Sequence, residues 1–520
     1  MKSHSLKYLR MALAVLCLLA AVVLFADFTG YAAAHWAWLA KIQAVPALLA
    51  LNLGALALLV VLTLVFGRLY CSVICPLGIL QDVLAWLRRV CGSKKKKRLG
   101  FYGYKAPLTA WRYGFLVLFA ALVAASALAF LPVSYAGMLD PYSSFGRMAG
   151  QSVVPLWRVC ADALAQWQAG RGVYLFEAVP SPVVMLSLGA GAVAALSFAV
   201  VLIFAVRTGR GYCNTVCPVG TLLGLLSRYS LLRPVIDTDK CNRCGSCGRR
   251  CKAACIDTKK HEIDLSRCVV CLDCINNCNQ GAISYGLRRR VPARDGEAQR
   301  TVMAEGKPDT ARRAFLAGGA IVAGAAVAAA ADKLTDGGLA PLKDKKRRRT
   351  ATPAVPPGAV SLRHFRSHCT ACQLCVSRCP NEVLRPSLSP GGFMQPVMVF
   401  TSGFCRPECT SCGEVCPTGA IMPVDAAGKS AVKIGTACVD ASICISAAYG
   451  QSCGNCARHC PAGAIVMVKG DNGNMRPAVD EARCIGCGAC EYHCPSGTAG
   501  QLSANTAAIY VKGIENHQQV

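Results

Sequence analysis

Residues 67–78 read GRLYCSVICPLG, and residues 209–220 read GRGYCNTVCPVG. Each follows a long apolar run and sets two cysteines four positions apart, closed by a proline. The agreement takes in Gly67/Gly209, Arg68/Arg210, Tyr70/Tyr212, Cys71/Cys213, Cys75/Cys217, Pro76/Pro218, Gly78/Gly220 and Leu80/Leu222. So many matches at one offset mark an internal repeat. Thiols at the edge of an apolar segment are either redox or metal-binding groups, or parts of a tight Cys/Pro/Gly turn that seats a helix end.

Working outward, the chain of 520 residues has room for about three modules. Mean hydropathy is +0.39 and only 16% of residues are charged, which implies membrane segments. Thirty-three cysteines in so long a chain do not fit a small disulfide scaffold. Their C-x2-C-x2-C-x3-C spacing selects iron–sulfur clusters over zinc. The formal charge of +28 treats every cysteine as neutral. Six four-iron clusters would remove about 12 of those units. Much of the remainder lies in runs such as KKKKR (94–98) and KDKKRRR (343–349), read as membrane-orienting or solvated segments and not as a nucleic-acid surface.

The expected fold is a membrane α-helical domain of four helices, a fifth anchor helix, and two small α+β ferredoxin-like modules. The first apolar span begins after basic residues near the N-terminus; the others cover about 42–66, 111–131 and 183–206. Lysine and arginine bias puts the cysteine pairs on the cytoplasmic side of a bacterial inner membrane and the 132–182 loop outside. Residues 1–234 form the membrane domain and 235–290 a cytoplasmic module. Residues 291–331 hold a linker and TARRAFLAGGAIVAGAAVAAAA (310–331), similar to a twin-arginine export signal with Ala311 in place of the usual serine. Residues 332–360 read as a second linker and 361–520 as an exported, periplasmic module.

In two-cluster ferredoxins, three ligands come from one tight loop and the fourth from the other motif. Crossed ligation then groups Cys241, Cys244 and Cys247 with Cys278, and Cys268, Cys271 and Cys274 with Cys251. Cys255 falls in register with Ala282, which makes it structural. Neither Cys251 nor Cys278 is followed by proline; Lys252 and Asn279 stand there instead. The last module carries Cys369, Cys372, Cys375 and Cys379; Cys405, Cys409, Cys412 and Cys416; Cys453, Cys456 and Cys460; and Cys484, Cys487, Cys490 and Cys494. Cys444, rather than Cys438, completes the third motif. Nested pairing, first with fourth and second with third, is the expected topology.

With these residues in view, residues 1–290 resemble the NapH/MauN family of membrane ferredoxins, and residues 310–520 resemble the NapG/MauM family of exported four-cluster ferredoxins. The resemblance implies electron transfer from membrane quinol, or a cytoplasmic donor, to a periplasmic reductase or cytochrome. It implies six 4Fe-4S clusters, with quinone as a substrate. Cys71, Cys75, Cys213 and Cys217 would converge to hold a metal or cluster, or to form redox pairs. Asp140 and Tyr142 are weak candidates for a quinol site, with His35 on the same side; an Asp-Pro turn is the plainer reading. No flavin, haem or nucleotide-phosphate motif occurs. A maturation factor or metal reductase serving a respiratory oxidase is the alternative function.

Overall fold

The computed structural model describes residues 3–27, 30–91, 102–171, 187–287, 345–470, 473–497 and 506–520. The KKKKR run and the twin-arginine-like segment, with its expected fifth helix, lie outside the described residues.

The chain opens with α1 (Ser3–Ala26), α2 (Tyr31–Lys41), α3 (Ala44–Leu49) and α4 (Leu53–Phe66). The first repeated motif follows as α5 (Tyr70–Val73) and α6 (Pro76–Cys91). Next come α7 (Thr109–Ala127), α8 (Ser134–Gly137), α9 (Pro141–Gln151) and α10 (Val153–Ala169). The second motif follows α11 (Leu188–Thr208) as α12 (Gly211–Thr215) and α13 (Pro218–Ser227). Three stretches, Ser5–Ala26, Thr109–Ala127 and Leu188–Thr208, are long and apolar enough to cross a membrane. Their outward faces carry exposed apolar side chains such as Leu16, Leu19, Val117 and Leu196. In water that surface would be a liability; in lipid it needs no cover. Exposed Trp111 lies at one end of this layer, and exposed Tyr31, Trp36 and Trp38 lie at the other. Interfacial aromatics take such positions.

The second expected span is not one helix. It breaks at residues 50–52, where Leu51 takes a left-handed conformation (φ 50°) and Asn52 caps α4 through Ala55 N–H. Hydropathy alone ran across this break because every flanking residue is apolar. The 132–182 loop also departs from expectation. Helix α9 is buried along most of its length and packs against α6 and α11.

In the first ferredoxin module, β1 (Leu232–Ile236) pairs antiparallel with β4 (Ile283–Leu287), and β2 (Ile256–Asp257) with β3 (Glu262–Ile263). The last module has three two-stranded sheets: β5 (Leu384–Pro386) with β6 (Pro396–Met398), β7 (Val432–Val439) with β10 (Ile509–Gln519), and β8 (Ile465–Lys469) with β9 (Met475–Val479). Residues 345–360, read above as linker, belong to this module. Ala354 O accepts from Met398 N, Gly358 O accepts from Met422 N, and Arg348 pairs with Asp440. Part of the basic run is therefore engaged by its own module and is not a free orienting charge.

Each of the three long helices touches both modules, one at either end. On α1, Lys7 Nζ lies 2.9 Å from Asp273, and Arg378 donates to Asp27 O, just past the helix end, at 2.6 Å. On α7, Arg112 donates to Ser266 O at 2.8 Å, and Ser126 Oγ to Ser367 O at 3.5 Å. On α11, Gly189 lies against Leu388, and Arg210 N beyond the other end donates to Lys252 O at 2.8 Å. A helix the length of α1 spans about 36 Å, close to the thickness of a bilayer core.

Candidate metal centres

The regular motifs close around cavities. Cys241, Cys244, Cys247 and Cys278 line one, and Cys251, Cys268, Cys271 and Cys274 another. This is the crossed grouping expected for the first module. Cys255 lies 3.6 Å from Cys251, sulfur to sulfur, on the wall of the second cavity; its counterpart Ala282 lines the first. Cys251 and Cys255 both line that cavity.

In the last module Cys444, Cys453, Cys456 and Cys494 line one cavity, and Cys460, Cys484, Cys487 and Cys490 the next. Cys438 stands apart on β7, its sulfur 3.9 Å from Thr436 O. Cys416 lies within electrostatic reach of Cys369, Cys372 and Cys375; Cys379 lies within reach of Cys405, Cys409 and Cys412. The pairing is thus sequential, first motif with second and third with fourth. The nested expectation fails because neighbouring motifs fold as complete two-site units. These units join end to end: Cys405 N donates to Cys487 O at 2.9 Å.

The loops suit iron–sulfur cores. Residues flanking the second cysteine take positive φ: Arg243 and Gly245, Val270 and Leu272, Ala371 and Gln373, Gly486 and Gly488. A left-handed valine is strained. Such alternation turns successive N–H groups inward, a nest for an anion. Ile421 N donates to Cys416 Sγ at 3.4 Å and Ala464 N to Cys460 Sγ at 3.3 Å. Burial pushes the free thiols of Cys372 and Cys487 up to about 12 and that of Cys405 to about 11. They would become thiolates by binding metal, not by titrating as nucleophiles.

The four repeat thiols do converge. Cys71, Cys75, Cys213 and Cys217 are buried, and each pair lies within electrostatic reach of the other. The copies clasp reciprocally. Arg68 Nη2 donates to Cys213 O at 3.2 Å, and Arg210 Nη1 to Cys71 O at 2.6 Å. Both arginines are fully buried, so they are interior groups. Gly78 and Gly220 permit the crossing; a Cβ there would lie 2.2 Å from Cys71 O and 2.1 Å from Cys213 O.

Around this tetrad the first module is held by ions. Asp82 pairs with Arg210 at 2.8 Å and Lys252 at 3.6 Å, and Lys252 reaches Asp273 at 3.0 Å. Lys252 occupies the position of the missing proline, so its side chain docks the module. On the other side, Tyr212 OH lies 3.5 Å from Leu139 O, while buried Arg147 contacts Gly137 O and Ala371 O beside Cys372. Sequence reasoning missed Asp82, Lys252 and Arg147. One signal was legible: Asp27, Asp82 and Asp140 are the only acids before residue 141. An acid in an apolar setting has a partner.

The quinol candidates do not form an opening. Asp140 is 1% exposed and caps α9, accepting from Ser143 N at 2.8 Å and Ser143 Oγ at 2.6 Å. Tyr142 is buried against Phe25. His35 is exposed and bonds Tyr31 O.

Comparison with known proteins agrees with this chemistry. The 4Fe-4S binding domain family matches residues 48–96 and 190–236, which contain the two repeats, and the 4Fe-4S dicluster domain family matches 451–498. The ferredoxin-type protein NapH of Haemophilus influenzae is 27% identical over 249 residues, 46% of this chain and 69% of that protein. The methylamine utilization ferredoxin-type protein MauN of Paracoccus denitrificans is 28% identical over 200 residues, 38% of this chain and 53% of its own length. An uncharacterized protein of Methanocaldococcus jannaschii is 38% identical over 74 residues, 14% of this chain and 29% of that relative. No solved structure matches. The chain is an iron–sulfur electron-transfer protein of ferredoxin type with membrane-helix features. Among curated proteins it is similar to NapH and MauN.

Proposed function

We propose that the chain carries electrons across a bacterial inner membrane, from quinol or a cytoplasmic donor to a periplasmic reductase or cytochrome. One observation carries this reading: three bilayer-length helices each touch the first ferredoxin module at one end and the second at the other. With the repeat cysteines between them, six four-cysteine sets lie in one continuous molecule. When bound, each 4Fe-4S cluster supplies one-electron storage. The chain's own residues wrap each core, exclude water and hold neighbouring cores close. This serial build supports a relay over the maturation-factor reading.

Quinol needs an entry beside a cysteine set. A groove of about 460 Å³ lies where α7 meets the last module, lined by Phe130, Leu131, Leu362, Arg363, Arg366 and Glu515. Phe130 is exposed just past the end of the span. Gln395 Nε2 bonds both Arg366 O and Cys369 O, which ties the groove wall to the first ligand of the nearest set. This groove suits a quinol head group better than Asp140 or Tyr142. Anaerobically purified protein given reduced quinone should show reduced-cluster EPR signals, and Arg366→Ala should slow their appearance. No reduction by quinol, with prompt reduction by dithionite, would overturn the quinol reading.

A further inference from the structure

We propose that Cys71, Cys75, Cys213 and Cys217 ligate one four-iron cluster shared by the two copies of the repeat, a seventh site between the modules. The inference rests on reading the chain as an iron–sulfur carrier, and it assigns the cofactor of the tetrad.

Each copy supplies only two thiols, too few for a cubane, and the reciprocal Arg68 and Arg210 bonds bring the pairs together. Among the described residues no three His, Cys, Asp or Glu side chains lie close enough to hold a bare metal ion. The same holds for the C-x2-C loops, whose thiols stand apart around a cavity. In that respect the tetrad matches the regular cysteine loops.

Donors already point at the sulfurs. Gln81 Nε2 lies 3.0 Å from Cys213 Sγ, Gly220 N 3.3 Å from Cys217 Sγ, and Arg68 Nη2 3.9 Å from Cys71 Sγ. Donors aimed at sulfur stabilise thiolate ligands and tune the core's potential.

Charge is the independent observation. Arg68 is fully buried, yet its partners are neutral: Asn214 Oδ1 at 2.7 Å, Ser266 O at 3.0 Å and Cys213 O. Arg112, a second buried cation, donates to the same Ser266 carbonyl. A buried cation without a counter-charge is destabilising. A cubane held by four thiolates carries about two negative charges and would offset it. Loading balances simply: four thiols lose four protons as four iron–sulfur bonds form.

The test uses the full chain, purified anaerobically. The proposal expects about 28 irons and matching sulfide per polypeptide, against about 24 for six sites. Cys75→Ser and Cys217→Ser should each lose about four irons, while the EPR signals of the remaining clusters persist. Cys91→Ser should lose none. Iron unchanged in both tetrad variants, or loss of a single metal ion, would overturn the proposal. So would recovery of the four residues as two disulfides in iron-loaded protein. If the variants prove too unstable to purify, the wild-type count and Mössbauer intensity still decide between six and seven. Quinol is not used in any arm, so failure of the quinol reading leaves this result intact.

Discussion

The two copies of the repeat share a backbone and differ in how each arginine is matched. In the first copy, Asp82 stands where the second has Gly224. Asp82 holds Arg210, which reaches across from the second copy. Arg68, reaching the other way, finds no acid among the described residues. A Cβ on Gly224 would lie 2.0 Å from Arg112 Nη2 and 2.5 Å from Ser266 O, so the space an acid would need is taken by the docked module. Symmetry thus brings the thiols together, and the departure from symmetry seats the first ferredoxin module beside them. The departure also leaves one half of the tetrad cationic.

The largest effect should come from what the copies share. Gly78→Ala and Gly220→Ala each drive a methyl into a backbone carbonyl and the opposite arginine. Each should cost about 3 kcal/mol or more, beyond ordinary overpacking because backbone cannot yield. Both should lower thermal unfolding temperature in detergent by similar amounts; a silent variant in one copy would break the symmetry. Asp82→Asn comes next. It leaves Arg210 and Lys252 without their shared carboxylate, at a cost of about 3–5 kcal/mol for a buried pair. Because Asp82 also anchors Lys252, limited proteolysis should release the 235–287 module faster.

Gly224→Ala should cost about 1–3 kcal/mol by displacing Arg112 from Ser266, read as weaker docking of the same module. The smallest stability change belongs to Gln81→Leu, which copies Leu223 of the second repeat. It should stay within about 1 kcal/mol. Its readout is electrochemical. Losing the Nε2 donor to Cys213 Sγ removes a bond that favours the more negative, reduced state, so the tetrad's midpoint potential should fall.

Much of the site was legible because ligand chemistry constrains spacing locally. Cys241 through Cys278 could be grouped from their intervals, but Cys251 and Cys255 line the same cavity and register alone argues for the first. The first, third and fourth spans were legible from hydropathy, since lipid imposes length and composition. What escaped were decisions made by distant contacts. The break at Leu51 and Asn52 lies in a run whose neighbours on both sides are apolar, with Asn52 the one polar residue there. The role of Lys252 needs Asp82 and Asp273, which spacing does not connect. Asp140 was suspected of chemistry and instead caps a helix. Pairing among the four late motifs depends on how units stack, which intervals do not encode.

The relay requires the two modules to lie on opposite faces of one membrane with the repeat between them. Sidedness tests it directly. A protease-cleavable tag placed after Val520 and another in the turn at 258–261 can be digested in intact spheroplasts and again after lysis. The tail tag should be lost in intact spheroplasts and the other only after lysis. Digestion of both, or protection of both, in intact spheroplasts would contradict it.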